Sequence, residues 1–413
     1  MIPFQATEEF ALKMDAEDSL RSHREKFHFP KDAQGREMLY FCGNSLGLQP
    51  KKARPYIEQE LDDWARFGVE GHFHARKPWM PYHEFLTEST ARLVGARPIE
   101  VVVMNTLTVN LHLMLVSFYR PTRERPKILM EAGAFPSDQY AIASQVRFHG
   151  YDPKEVIVEV APRAGESSIR EEDLLQAIRR EGSSLALVLL GNVNYLTGQK
   201  FSVAAVTEAA HSVGAYAGFD FAHGAGNLKL ALHDDGPDFA VWCSYKYLNA
   251  GPGALSGCFV HERHARAPEL PRFAGWWGQN KQTRFKMGPE FDPIAGAEGW
   301  QLSNPPIFQL AALRASMEIF DEVGMEAIRK KGDLLTGYLE FLLQGHEILT
   351  PKERGSQLSL RIPGGKSLVE TWAKAGVICD FREPDTVRVS PVALYNSFHD
   401  VWRVAQTFQG LKK

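Results

Sequence analysis

Through the middle of the chain, short apolar runs rich in β-favouring residues alternate with longer segments whose apolar positions recur at helical spacing. The runs are Glu100–Met104, Lys127–Glu131, Glu155–Val160, Leu185–Leu190, Ala215–Phe219, Phe239–Tyr245 and Gly257–Val260. Between the earlier ones the spacing predicts helices at Thr108–Tyr119, Ser137–His149, Glu171–Arg180 and Ser202–Val213, the last with Ser202 as its N-cap. Strand–helix alternation of this kind implies a mostly parallel sheet covered by helices on both faces. After Asn304-Pro305-Pro306, a helix-start and hinge signal, the pattern changes. A long helical stretch, Ile307 to Leu343, breaks near Val323-Gly324. Then come a strand at Gln357–Ile362, a helix near Ser367–Ala375, a strand at Val387–Val389 and a closing helix from Asn396. The fold class is α/β, with a large domain around a seven-stranded sheet and a smaller α+β domain. The expected division is 1–45, a helical segment packing on the small domain or on a partner subunit; 46–306, the large domain; and 307–413, the small domain.

Composition narrows the function classes. The 413 residues carry 47 Lys+Arg against 50 Asp+Glu, a net charge of −3, without the basic excess that nucleic-acid or anionic-membrane binding needs. The four cysteines, Cys42, Cys243, Cys258 and Cys379, form no CxxC pair and read as buried thiols of a reducing compartment. Met1 to Phe10 lacks the basic flank and apolar run of a signal peptide, and Leu107–Phe118 is too short to span a bilayer. A soluble cytoplasmic protein is expected.

Candidate chemistry concentrates at predicted strand ends. Lys246 follows the run Phe239–Tyr245 and precedes a glycine-rich stretch; Asp220 ends the run before it and is followed by His223 and another glycine-rich turn. Alone, Lys246 reads as a surface charge, and the two together suit a structural ion pair and a cofactor site equally. In an open α/β sheet, however, ligands bind beyond the carboxyl ends of the strands. A lysine to bond an aldehyde and an acid to pair with a pyridinium nitrogen suit pyridoxal 5'-phosphate. Thr106-Leu107-Thr108 opens a helix after a strand, where unpaired N–H groups and the Thr108 hydroxyl suit phosphate, although two threonines can simply be caps. Ala134-Phe135-Pro136-Ser137-Asp138 offers an aromatic face and a carboxylate at a similar corner. GPGALSG at Gly251–Gly257 lacks the dinucleotide spacing, there is no nucleophile elbow or phosphate-loop lysine, and the His72/His74 pair has no third ligand at useful spacing, so no metal site is expected.

Taken together, SYKYLNAGPG, GFDFAHGAGN, AFPSDQYAI, MNTLTVNLHL, FCGNSLGLQP, GWWG followed by TRFKM, SNPP and LYNSFHD resemble the kynureninases, from about Tyr40 to Phe398. The resemblance implies an aspartate-aminotransferase-like fold and a pyridoxal-phosphate-dependent hydrolase. Such an enzyme cleaves L-kynurenine or 3-hydroxykynurenine to L-alanine and the matching anthranilate, in tryptophan catabolism and NAD biosynthesis. It also implies the roles of individual residues. Lys246 would bond the cofactor, Asp220 would hold its ring nitrogen with His223 nearby, Phe135 would stack on the ring beside Asp138, and Leu107, Thr108 and Tyr245 would meet the phosphate. Trp276 and Asn304 would reach the cofactor of the other subunit of a homodimer. Arg388 would clamp the substrate carboxylate, and Ser45, His72 and Asn304 would line the pocket for the substrate ring. Their hydrogen-bonding capacity points to 3-hydroxykynurenine as the preferred substrate. Tyr245, next to Lys246, is the candidate acid/base. Gly191 stands where some relatives place a serine. Two other readings stay open at this level: a cysteine desulfurase or aminotransferase of the same fold, and a catalytically silent binding protein. A desulfurase would want a histidine at the Phe135 corner and a cysteine on an exposed loop.

Overall fold

The computed structural model describes residues 3–267 and 269–409. In chain order, the main elements begin with α1 (Glu8–Glu17), α2 (Ala53–Phe67), β1 (Val101–Met104), α3 (Leu107–Phe118), β2 (Lys127–Glu131), α4 (Pro136–Phe148) and β3 (Ile157–Val160). Next come α5 (Glu171–Glu181), β4 (Leu185–Gly191), α6 (Val203–Ser212), β5 (Tyr216–Asp220), β6 (Phe239–Cys243) and β7 (Ser256–Val260). The remainder comprises α7 (Ile307–Val323), α8 (Met325–Leu342), β8 (Leu358–Arg361), α9 (Gly365–Lys374), β9 (Asp380–Arg382), β10 (Thr386–Val389) and α10 (Phe398–Gln409).

Seven strands form one sheet in the order β1-β7-β6-β5-β4-β2-β3, in which only β7 runs against its neighbours. Its faces are both buried, and residue alternation assigns them. Val101, Val103, Leu129, Val188 and Leu190 enter one core, while Val102, Met104, Ile128, Met130, Leu187 and Leu189 enter the other. That two-sided burial is why the strands read as continuous apolar runs. Gly218 on β5 pairs with Phe239 on β6, and a Cβ there would lie 2.1 Å from the Phe239 ring. Gly218→Ala is therefore expected to cost about 3 kcal/mol through overpacking, read as a lower denaturation midpoint at unchanged m-value.

Ser202 caps α6, its hydroxyl accepting the Ala205 N–H at 3.3 Å, and Gly324, at φ 76°, separates α7 from α8 where the sequence predicts a break. Two predicted strands lose two residues at one end. Glu155 and Val156 belong instead to a helical turn, Pro153–Val156, started by the Asp152 side chain. β6 stops at Cys243, because Ser244–Lys246 bends away.

The second sheet, β8-β10-β9, is antiparallel and shares a third core with α8, α9 and α10. Phe10, Ala11 and Met14 of α1, together with Leu39 and Phe41, enter this same core. Polar contacts hold the segment down: Asp15 accepts the Phe398 N–H at the start of α10, and Arg24 pairs with Asp400. Among the described residues, no helix is long and apolar enough to cross a membrane.

Candidate active site

The carboxyl ends of β2, β4, β5 and β6 open onto one cavity. Its wall includes Leu107, Thr108, Glu131, Phe135, Ser137, Asp138, Gly191, Tyr195, Asp220, His223, Tyr245 and Lys246. Eight of the residues singled out in the sequence thus meet in one place. Ser45, His72, Trp276, Asn304 and Arg388 do not border this cavity.

Lys246 is placed by a tight turn after β6, in which its carbonyl accepts the Asn249 N–H at 3.0 Å and Asn249 adopts a φ of 53°. Gly47 packs on this turn, where a Cβ would lie 2.3 Å from the Lys246 carbonyl oxygen, so only glycine fits. Lys246 Nζ lies 3.0 Å from His223 Nε2 and 5.7 Å from the centre of the Phe135 ring. Asp220 is fixed by the Ala222 N–H, which donates to Oδ1 at 2.6 Å.

Burial dominates the electrostatics. It pushes the Asp220 carboxyl up, against the opposing effects of the Lys246 charge, the Ala222 N–H and a hydrogen bond from Asp138. Asp138 is driven well above the usual carboxylate range, by burial first and then by the charges of Asp220 and Glu131. Both carboxyls are thus pushed up; at Asp220 the Lys246 charge is the largest influence after burial, whereas at Asp138 the Asp220 and Glu131 charges come before it. Glu131 is raised by burial to about 7, although its Oε2 accepts the Gly191 N–H at 2.9 Å. Burial, then the Lys246 charge, holds the His223 imidazole neutral, far below its ordinary value. Burial also lifts the Tyr245 phenol, with the neighbouring Cys243 adding to the effect.

The helix start at α3 is free of side-chain caps, since Thr106 makes no capping hydrogen bond, and the Thr108 and Ser137 hydroxyls lie 2.7 Å apart. This corner presents first-turn N–H groups and two hydroxyls to the cavity, a donor set suited to a phosphate. His223 Nδ1 and Asp138 Oδ1 are buried without a hydrogen-bond partner among the described residues. An amine, a carboxylate, an aromatic face and a phosphate corner in one pocket fit pyridoxal phosphate.

Behind Tyr195 lies Arg388, 1 % exposed, on β10. Its Nη1 donates to the Tyr195 carbonyl at 2.7 Å and its Nε to Asp380 Oδ1 at 2.7 Å; Nη2 bonds Asp380 Oδ2 and, at 3.1 Å, Ser45 Oγ. Ser45 in turn donates to Asp380 at 2.6 Å. Asp380 faces Arg388 across the β9–β10 pair. Elsewhere, His72 Nδ1 lies 2.9 Å from the Val69 carbonyl and its ring packs edge-on against Trp79. Trp276 is 42 % exposed and donates to the Arg284 carbonyl at 3.2 Å, and Asn304 is exposed.

Sequence reasoning does not single out Glu131, Ser137 or Asp380. Glu131 and Ser137 carried a usable signal, since both sit at the same kind of strand-end or helix-start corner as Asp220 and Thr108. Gly191 has a local explanation: a Cβ at this position would lie 3.1 Å from Glu131 Oε1, so the carboxylate lies where a side chain at 191 would begin.

Known proteins identify the family. Residues 328–408 match the kynureninase C-terminal domain family. A kynureninase of Myxococcus xanthus is 64 % identical over 98 % of both chains, and one of Koribacter versatilis is 59 % identical over 98 % of both. This chain belongs to the kynureninase family. It is thereby a pyridoxal-phosphate-dependent hydrolase acting on carbon–carbon bonds. The fold is also that of the cysteine desulfurase CsdA of Escherichia coli, with a TM-score of 0.78 at 17 % identity over 95 % of this chain and 98 % of that one. A C-DES structure with glycine linked to its PLP cofactor gives 0.77 at 16 % identity, over 92 % and 98 %.

Proposed function

We propose that this kynureninase-family chain hydrolyses the Cβ–Cγ bond of 3-hydroxy-L-kynurenine in preference to L-kynurenine, releasing L-alanine and 3-hydroxyanthranilate or anthranilate. The observation that carries the reading is the convergence of Lys246, Asp220 and Phe135 on one buried pocket in a chain 64 % identical to a kynureninase. Such a reaction belongs to cytoplasmic tryptophan catabolism and leads toward NAD biosynthesis. A desulfurase is disfavoured because all four cysteines are buried and Phe135 stands at the ring-stacking corner. A silent scaffold would have no need of Lys246, Asp220 and Arg388 together.

Bound in this pocket, pyridoxal phosphate supplies an electron sink for the carbon atoms next to the substrate nitrogen. Asp220, with the Lys246 charge and the Ala222 N–H favouring its anion, would pair with the ring nitrogen. Lys246 would hold the cofactor, and its amine would move a proton at the substrate Cα. The neutral His223 accepts a hydrogen bond from the Lys246 amine through Nε2, which orients it. Leu107 and Thr108 at the α3 start bind the phosphate, with Tyr245 beside it, and Phe135 stacks on the ring.

Arg388 takes the substrate carboxylate on the Nη1/Nη2 edge now bonded to the Tyr195 carbonyl and Ser45, while Asp380 keeps the guanidinium in position. Trp276 and Asn304, neither of which lines this chain's own pocket, serve the pocket of a second copy, so the working unit is a homodimer with shared sites. His72, Ser45 and the partner's Asn304 contact the substrate ring, and unpaired polar groups there penalise the substrate lacking the hydroxyl.

Tyr245, whose phenol remains protonated at neutral pH, gives and regains a proton at the substrate carbonyl and β-carbon. Tyr245→Phe is expected to lower kcat by about 10²- to 10³-fold while leaving the bound cofactor's absorption nearly unchanged. Steady-state rates and absorption spectra of the same sample check this, and wild-type turnover in the variant would remove Tyr245 from the chemistry. A ratio of kcat/KM values near one for the two substrates would overturn the stated preference.

A further inference from the structure

Away from the cofactor pocket, three metal-ligating side chains converge at the other rim of the sheet. Glu100 immediately precedes β1, His261 immediately follows the antiparallel β7, and His233 lies in the short helix Leu232–Asp235 that precedes β6. These positions are at the strand ends opposite those carrying Asp220 and Gly191. Glu100 is fully buried and His261 nearly so, while the His233 side chain keeps 23 % of its surface open. One donor atom from each of the three lies within 4.8 Å of the other two. Glu100 Oε1 is 2.9 Å from His233 Nδ1 and 3.7 Å from His261 Nδ1, and the two imidazoles stack at 5.2 Å with 24° between planes.

Charge balance singles out this cluster. Besides the His233 imidazole, the Glu100 carboxylate is bonded by two neutral backbone donors, the Arg97 N–H at 2.8 Å and the Glu262 N–H at 2.9 Å. The neighbouring guanidinium groups are engaged elsewhere, Arg97 with Glu262 and Arg263 with Asp238. Among the described residues, no lysine or arginine side chain bonds Glu100. A buried carboxylate with no lysine or arginine beside it depends on a histidine proton for its countercharge. Metal–ligand bonds of about 2.0–2.2 Å set neighbouring donor atoms roughly 3.0–3.5 Å apart, and the observed 2.9 and 3.7 Å bracket that spacing. By contrast, the second group of this kind, His83, Glu84 and Glu298, already has the Lys281 ammonium bonded to both carboxylates.

We propose that Glu100, His233 and His261 form a binding site for a divalent transition-metal ion of the zinc class, with water completing the coordination through the open side of His233. Two imidazoles and one carboxylate are a donor set for such ions, not for calcium or magnesium. The ion displaces the proton that His233 shares with Glu100 and the 3.2 Å hydrogen bond from the Arg263 N–H to His261 Nδ1. It ties together the starts of β1 and β6 and the end of β7, the rim at which the one antiparallel strand is built in. The ion's role is structural, separate from catalysis.

The test uses cofactor-loaded enzyme dialysed against a chelator and then titrated with zinc chloride. The proposal predicts one zinc bound per chain by calorimetry and a melting temperature raised by about 3–5 °C at a hundredfold excess over Kd. Glu100→Gln and His233→Gln should each abolish that zinc-dependent rise, and zinc should leave wild-type kcat within twofold. His233 is part-exposed, so its variant stays informative if Glu100→Gln fails to fold. Absence of stoichiometric binding, or a rise of equal size in His233→Gln, would overturn the proposal; equal rises would assign the zinc to other surface histidines.

Discussion

Lys246→Ala is expected to lower turnover by about 10⁴-fold or more, because in the proposed roles it would remove both the bond to the cofactor and the base that moves the Cα proton. Lys246 is half-buried in a turn held by backbone hydrogen bonds, so the fold should survive and the melting temperature should stay close to wild type. The absorption of the bound cofactor should change at the same time, since its bond to the protein is gone. Retention of more than about 1 % of wild-type turnover would remove Lys246 from the proton transfer.

The second large effect concerns Arg388. Arg388→Lys keeps a positive charge beside Asp380 but loses the planar fork, and in the proposed role the substrate carboxylate would lose its paired hydrogen bonds. We expect kcat/KM to fall about a hundredfold, close to 3 kcal/mol, mainly through KM, with cofactor content unchanged. A structural role alone would lower stability and cofactor content together without a selective rise in KM. Steady-state kinetics combined with cofactor quantitation separates the two. Asp380 adds a further prediction: Asp380→Asn leaves Arg388 and Arg382 without their shared countercharge, so Arg388 loses its fixed orientation and KM should rise while the cofactor stays bound.

Much of this arrangement was legible in the sequence, for reasons visible in particular residues. β2 runs Lys127–Glu131 as its apolar pattern predicts, because both its faces are buried and no polar position interrupts the run. Lys246 and Asp220 stood out because a charged residue directly after an apolar strand lies at the sheet's carboxyl edge. α2 was harder to read: Glu60 and Asp63 are buried on its inner face, bonding Trp79, Tyr82 and Arg76, while Trp64 is exposed, so the apolar stripe is blurred. Asp380 was hidden for a different reason. Its pairing with Arg388 depends on the β9–β10 register, which eight residues of separation do not reveal. In the proposed homodimer Trp276 and Asn304 would act at a second chain's pocket, so neither their spacing nor their place in one subunit expresses those roles. The Glu100 cluster joins residues 133 and 161 positions apart, and only the sheet order brings them together.

The account stands or falls on the bond that is cleaved. Purified, cofactor-loaded protein should be supplied separately with L-kynurenine and 3-hydroxy-L-kynurenine, and the products resolved by chromatography and mass. The account predicts L-alanine in equimolar yield with anthranilate from the first and with 3-hydroxyanthranilate from the second, at higher kcat/KM for the hydroxylated substrate. Intact substrates in the presence of bound cofactor, or an amino-group transfer product in place of alanine, would contradict it.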